Sequence, residues 1–293
     1  MDENVRNVQG YFLSAIGTDH ILMANNFSIT LKVNDDHRPV CVLVKPEHVG
    51  FARDLEFIDF VIPYIPKDDY GPLTDHERFC GMAKIDFHNK IPFDQYIMID
   101  TDFLVCGPTQ YVWSMIEKYD TPVVNFGTIQ APYWHWDHLP EVEKKTGLKL
   151  SYTCGDMVYF NKNHPDFNDY IARVRDVFVN KYDEYGCRRA FGPKRSMTEE
   201  VAFSIASAER GLLPIEMHKF PILNYNPKPG QSYKQFMYPF EPIQDKNTLF
   251  PIRPPFLHMW DKLFGLNYHR VFFEIITGII NQDRSMFEIV EKD

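Results

Sequence analysis

The sequence predicts an α/β protein in one domain: a Rossmann-like mixed sheet, mostly parallel, flanked by helices, with an extended C-terminal segment. Three observations lead there. Short continuous apolar runs, Val40–Val44 (VCVLV) and Gln95–Ile99 (QYIMI) among them, read as strands buried on both faces. Stretches with helical spacing alternate with these runs. The apolar run Ile97-Met98-Ile99 passes straight into Asp100-Thr101-Asp102, at the carboxyl end of a strand, where open α/β sheets bind ligands.

In chain order, Tyr11–Ile16 (YFLSAI) is the first strand, ended by Gly17-Thr18-Asp19. His20–Val33 follows as a helix whose apolar faces come from Ile21, Leu22, Phe27, Ile29 and Leu31. Val40–Val44 is the second strand, and Phe57–Ile65 holds a third around Phe60-Val61-Ile62. Glu77–His88 has helical spacing. Ile91-Pro92-Phe93-Asp94 is then a turn into the strand Gln95–Ile99. Pro122–Phe126 (PVVNF) is another strand, Thr128–Leu150 an aromatic and charged excursion over the sheet, and Met157–Phe160 a return to strand. Pro165–Asn180 and Thr198–Arg210 read as helices, with Pro165 suited to a first turn and Thr198 to a cap. Pro214–Pro255 lacks periodicity and reads as an extended wrap. Arg270–Ile280 reads as a last helix. With no repeat or linker-like stretch, residues 1–293 are expected to form one domain, in two halves, 1–127 and 128–293.

The chain is long enough, at 293 residues, to bury a sizeable core. Its net charge of −9 and lack of a basic run disfavour nucleic-acid binding, which needs clustered Lys and Arg. The five cysteines are scattered without a C-x-x-C, so a reducing compartment is the simpler reading. Met1–Gly10 is polar and unlike a signal peptide, and no apolar run reaches the ~18–20 residues of a membrane span. The expectation is a soluble, cytoplasmic protein whose oligomeric state the sequence leaves open.

The chemistry centres on Asp100-Thr101-Asp102. A strand end can bring two carboxylates, or one carboxylate and a bridging water, onto one cation. Hard divalent cations such as Mg²⁺ and Mn²⁺ take oxygen ligands and commonly bridge carboxylates to phosphates. The bland alternative is a turn or cap that uses Asp because Asp suits both. Its position at the end of a buried strand favours the ligand reading.

Lys84–Val105, KIDFHNKIPFDQYIMIDTDFLV, resembles the core of GT-A glycosyltransferases, especially family 8 and its relatives. There a Lys or Arg on a helix precedes a Pro-Phe-Asp turn, an apolar strand and Asp-x-Asp. Tyr11–Val44 is similar to that group's opening nucleotide-binding strand, helix and strand. Thr153–Phe160 (TCGDMVYF) is similar to its acceptor-side segment, and Phe256–Lys262 (FLHMWDK) to its late His-plus-Lys segment. The family's Gly and Pro in that last stretch are replaced here.

The resemblance implies a nucleotide-sugar donor, a UDP-sugar, with Mn²⁺ or Mg²⁺ held by Asp100, Asp102 and His258. It also implies retention of anomeric configuration and a glycan, protein or small-molecule acceptor. A mixed carboxylate and imidazole set suits Mn²⁺, while the bland reading of His258 is a partly buried histidine in an aromatic segment. Lys262 and Lys84 become candidates for diphosphate contacts, against ordinary surface lysines. Arg78 is a candidate for ribose, phosphate or sugar, or else pairs with Asp75 or Glu77. Ala15, Ile16, Gly17 and Thr18 would offer backbone contacts to the base, or form a simple strand-to-helix turn with Gly17 allowing tight geometry. Gly155 belongs to the same donor site. Asp156, Glu199 and Glu200 are candidates for donor-sugar hydroxyls or the space beneath the anomeric carbon, although two acids also suit a helix start.

Tyr133-Trp134-His135-Trp136-Asp137-His138 reads first as packing, second as an acceptor wall, and last as a metal site with His135 and His138 on one helical face. Two rivals remain beside the transferase. One is a catalytically silent sugar-nucleotide or glycan-binding module. The other is a haloacid-dehalogenase-type phosphatase, which also places Asp-x-Asp after an apolar strand, although normally on an early strand.

Overall fold

β1 (Gln9–Ala15) runs into α1 (Thr18–Val33), which returns the chain to β2 (Val40–Val44). The short α2 (Val49–Arg53) then leads to β3 (Phe60–Pro63). These strands are parallel, with Tyr11 opposite Val40 and Cys41 opposite Phe60. The computed structural model describes residues 8–65, 81–128, 133–134, 137–187, 199–216, 222–224, 256–259, 272–273 and 276. Within that range, α3 (Ala83–Ile85) and a 3₁₀ turn, His88–Lys90, precede β4 (Gln95–Ile99), which lies parallel to β1 on its other side.

β5 (Phe103–Val105) leaves the main sheet, and α4 (Gln110–Ile116) leads to β6 (Val123–Thr128). A two-stranded hairpin follows, β7 (Tyr133–Trp134) and β8 (Asp137–His138), then α5 (Leu139–Thr146) and the ten-residue β9 (Tyr152–Asn161). α6 (Phe167–Asp176), a π-helical turn Val177–Lys181, α7 (Glu199–Ala208), β10 (Ile215–Glu216), β11 (Ile222–Asn224) and β12 (Phe256–His258) complete the described elements.

The main sheet has seven strands in the order β10-β6-β9-β4-β1-β2-β3. Four of its six pairings are parallel, and β9 is antiparallel to both its neighbours. Alternate residues of each strand face opposite sides. Tyr11, Leu13, Val42, Ile97 and Ile99 pack with α1 and α4, including Phe27 and Trp113. Phe12, Cys41, Leu43, Tyr96 and Met98 pack on the other face with α6 and α7. Both faces are therefore covered, and for that reason the strands read as continuous apolar runs.

At the amino-terminal end of β1 a polar knot closes the core. Tyr11 donates to Asp36 at 2.9 Å, Trp113 Nε1 donates to Tyr11 Oη at 2.8 Å, and Arg38 pairs with Asp36 at 3.0 Å. The Thr109 hydroxyl also donates to Asp36. Each polar group there has a partner, as burial demands. The knot leaves the carboxyl ends of the strands as the place for chemistry.

The structure differs from the expected elements in five places. β9 starts at Tyr152, well before Met157, because its first half pairs with β6; Gly155 and Asp156 hide strand character there. The single helix expected through His88 is replaced, over residues 81–90, by short turns. α4, which buries Val112, Trp113 and Ile116, was not anticipated. His138 lies in a strand, so helical spacing does not pair it with His135. β10 and β11 fall inside the stretch read as an aperiodic wrap. Residues 272, 273 and 276 are helical, while the rest of the last expected helix lies outside the described residues. Among the described residues, Cys41, Cys106, Cys154 and Cys187 are buried and form no disulfide; Cys80 lies outside them.

Candidate active site

β4 ends at Ile99, and the chain turns through Asp100-Thr101-Asp102 into β5. Two backbone bonds fix that turn: Asp100 N–H donates to Asp156 O at 2.9 Å, and Met259 N–H donates to Asp102 O at 3.0 Å. The first ties the motif to β9 and the second to the end of β12. β12 pairs antiparallel with β5, placing His258 opposite Phe103, and the imidazole stacks on the Phe103 ring at 4.4 Å with planes 10° apart. Residues separated by more than 150 positions thus meet because two three-residue strands pair.

His258 is 2% exposed. Its Nε2 lies 3.4 Å from Asp102 Oδ1, and its Nδ1 lies 3.4 Å from Asp156 Oδ2. Burial opposes the charged imidazole, but the contact with Asp102 and the charges of Asp156, Asp102 and Asp100 outweigh it and raise its pKa.

Lys84 reaches the same point from α3. Its ammonium lies 2.8 Å from Asp100 Oδ1 and 2.6 Å from Glu199 Oε1, and donates to Gly155 O at 3.2 Å. Burial disfavours its charge, yet Asp100 and Glu199 together hold its pKa well above the ordinary value. Its three donors thus already have protein acceptors. Glu200, the next residue of α7, accepts the Gly155 N–H at 3.0 Å. A Cβ at 155 would lie 2.8 Å from both Glu199 Oε1 and Glu200 Cγ, so either glutamate would have to shift to admit one.

A bulge aims Asp156. One step along β6, from Asn125 to Phe126, spans Val158 to Cys154 on β9. Gly155, Asp156 and Met157 therefore have no register partner in β6, and such irregularities re-aim side chains beside functional sites. The Cys154 thiol donates to Asp156 Oδ2 at 2.9 Å. Burial, then the charges of Asp156 and Glu200, push that thiol's pKa up, so it stays a neutral donor.

Ala15 ends β1, and Ile16, Gly17 and Thr18 form the link into α1 beside it. Gly17 has φ −128° and ψ 172°, ordinary extended backbone, and open space where a Cβ would stand. The alternative in which Gly17 allows tight geometry in this turn is therefore corrected; any residue could adopt this backbone. His20, one turn into α1, places Nδ1 3.0 Å from Thr101 Oγ1. Sequence reasoning missed His20, and its only signal was a histidine in the first turn after the opening strand. Arg78 and Lys262 lie outside the described residues.

The site gathers five carboxylates around Lys84 and His258. Desolvation, offset by Lys84 but reinforced by Asp156 and Asp102, pushes the Asp100 carboxyl up to about 7. Asp102 Oδ1 is buried and makes no close hydrogen bond; the His258 Nε2 faces it at 3.4 Å, and such a carboxylate oxygen is costly unless a cation or proton stands there. A buried carboxylate oxygen, a neighbouring carboxylate and an imidazole together fit a hard-to-borderline divalent cation. Among the described residues, the donor atoms that lie within 4.8 Å of one another are those of Cys154, Asp156 and Glu200, not those of Asp100, Asp102 and His258.

Neither a protein-family model nor a curated protein sequence matches the chain. Solved structures do match. The galactosyltransferase LgtC, in complex with donor and acceptor sugar analogues, superposes with a TM-score of 0.51 at 13% identity, over 92% of this chain and 95% of its own. GlyE, a glycosyltransferase of Streptococcus pneumoniae TIGR4, gives 0.51 at 11% identity over 97% of this chain and 66% of its own. The bifunctional glycosyltransferase WbbM gives 0.54 at 10% identity over 96% of this chain and 53% of its own. The chain has the GT-A fold. Within that GT-A fold, β4 delivers Asp100 and Asp102 to the carboxyl edge of the sheet, and β9 and α7 supply the acids beside them. No described helix is long and apolar enough to cross a membrane.

Proposed function

We propose that this protein is a glycosyltransferase that moves a sugar from a nucleoside-diphosphate donor, a UDP-sugar, to an acceptor hydroxyl, with retention of anomeric configuration. One observation carries the reading: on a GT-A fold, Asp102 Oδ1 is buried without a close hydrogen bond and faces His258 across 3.4 Å. Asp100, Asp102 and His258 would hold Mn²⁺ or Mg²⁺. When bound, the cation supplies Lewis-acid stabilisation of the departing diphosphate.

The chain's own residues supply the rest. Ala15 to Thr18, at the end of β1 next to β4 in the sheet, would offer backbone groups to the base. Thr101, fixed by His20, keeps the turn in register. Glu199 and Glu200, anchored by Lys84 and the Gly155 N–H, are rigid acceptors for donor-sugar hydroxyls. Lys84 serves there as an electrostatic tie between Asp100 and Glu199, which leaves Lys262 and Arg78 as the cations for the diphosphate. The acceptor oxygen bonds to the anomeric carbon as the bond from that carbon to the diphosphate oxygen breaks, and the hydroxyl proton passes to the departing diphosphate.

Asp100 is ion-paired to Lys84 and follows the fourth strand of the chain, which argues against a phosphatase nucleophile. The test incubates the full chain with Mn²⁺ and a panel of UDP- and GDP-sugars, with and without glycan acceptors. Release of UDP is the expected result. Binding without release in any combination supports a silent nucleotide-sugar-binding module. Phosphate released from simple esters supports the phosphatase.

A further inference from the structure

Three contacts converge on Asp156. Its carbonyl accepts the Asp100 N–H at 2.9 Å, its Oδ2 accepts the Cys154 thiol at 2.9 Å, and the same Oδ2 lies 3.4 Å from His258 Nδ1. The other imidazole nitrogen, Nε2, faces Asp102 Oδ1 at 3.4 Å. The ring therefore sits between two carboxylates, one at each nitrogen. Its parallel stack on Phe103 at 4.4 Å and its 2% exposure stop it from swivelling.

A neutral imidazole carries one N–H, and it binds a cation only through the nitrogen that lacks it. Nε2 is the nitrogen beside Asp102, so with a cation bound there the one remaining proton resides on Nδ1. The acceptor waiting there is Asp156. We propose that Asp156 is a positioning residue that holds His258 as the Nδ1–H tautomer and so presents Nε2, beside Asp102, to a divalent cation. The proposal rests on the reading that Asp100, Asp102 and His258 hold that cation. A carboxylate behind a ligating histidine fixes ring orientation and raises ligand basicity. The bulge in β9 turns Asp156 toward this position, and the Cys154 thiol holds its Oδ2 in place. A neutral residue in the same bulge would leave Nδ1 without a charged acceptor.

The test has two readouts besides turnover. Free Mn²⁺ is followed by electron paramagnetic resonance as the full chain is titrated. The histidine tautomers are read from two-bond ¹H–¹⁵N correlations of ¹⁵N-histidine-labelled protein, with Zn²⁺ as a diamagnetic probe and His258→Gln to assign the signal. The expected result is an Nδ1–H pattern for His258 in the Zn²⁺-loaded wild type and about 10- to 100-fold weaker Mn²⁺ binding in Asp156→Ala. Asp156→Asn, whose amide oxygen still accepts from Nδ1, should recover part of that loss, and it carries the test if the alanine variant does not fold.

An Nε2–H pattern in the loaded wild type overturns the proposal, as does Mn²⁺ affinity unchanged in both variants. An asparagine variant as weak as alanine makes Asp156 a direct ligand and also overturns it. If the wild type binds no Mn²⁺, the cation reading falls and takes this inference with it. If the wild type binds and only the Asp156 arms fail, the cation reading stands.

Discussion

Lys84 is bonded to Glu199 across 115 positions of sequence, Nζ to Oε1 at 2.6 Å, and the same ammonium holds Asp100 at 2.8 Å. One cation from α3 thereby locks the start of α7 to the end of β4. Side chains at both ends of the Lys84–Glu199 pair are about nine-tenths buried, so losing the lysine leaves acids without compensation. Lys84→Met is expected to lower stability by about 3–5 kcal/mol. In Lys84→Met/Glu199→Gln, which removes the stranded charge, part of that loss should return. Urea midpoints of wild type, both single variants and the double variant measure the coupling. Additive losses would remove the tie.

Gly155→Ala should strain the same tie from below. Its Cβ would meet Glu199 Oε1 and Glu200 Cγ at 2.8 Å, so α7 must shift or the Lys84 pair must lengthen. Such overpacking costs about 1–3 kcal/mol. A thermal-unfolding midpoint equal to that of wild type would show that the first turn of α7 yields freely.

Asp102→Ala should reduce UDP affinity measured with Mn²⁺ to the value measured with a chelator, while the circular dichroism spectrum stays native. The motive is the buried Oδ1 that makes no close hydrogen bond. Isothermal titration in both conditions is the check. A folded variant that keeps its Mn²⁺-dependent gain would remove Asp102 from the cation site. His258→Ala is expected to show a smaller loss, because the two carboxylates remain.

His88 sets a pH limit on stability away from the site. It is 3% exposed, its ring lies 4.8 Å from Phe160, and it bonds the Tyr96 hydroxyl. Burial first, then the charge of Lys162, lowers its pKa from 6.5 to about 3. The unfolded chain therefore binds a proton below pH 6.5 that the folded chain refuses, so stability falls as pH drops from 6.5 toward 3. The loss from this residue amounts to about 2 kcal/mol near pH 5. His88→Asn, which does not titrate but can still face Tyr96, should flatten that slope in denaturant midpoints measured between pH 7 and pH 5.

The strands β1, β2 and β4 were legible because both faces of the sheet are covered there, which makes each a largely continuous apolar run; β3, at the sheet edge with Phe60 exposed, was legible from its apolar residues alone. β9 was half legible: Met157–Phe160 is apolar, whereas Tyr152–Asp156 pairs with β6 through a bulge that breaks the pattern. Lys84 was singled out for a diphosphate contact; its engagement with Asp100, Glu199 and Gly155 was not foreseen, since local sequence does not reveal a partner 115 positions away. His20 and Cys154 were missed for the same reason: neither belongs to a local pattern, and each gains meaning only from Thr101 or Asp156.

By itself, the sequence determined the alternation of strands and helices and the position of Asp100 and Asp102 at the end of a buried strand, because periodicity and burial are written locally. Only the tertiary structure decided what surrounds those carboxylates. The β5–β12 pairing brings His258 to Asp102, the β9 bulge turns Asp156 toward the same imidazole, and α7 delivers Glu199 to Lys84. Each of these contacts depends on strand register and packing between distant segments, and those are properties of the folded chain rather than of any stretch of it.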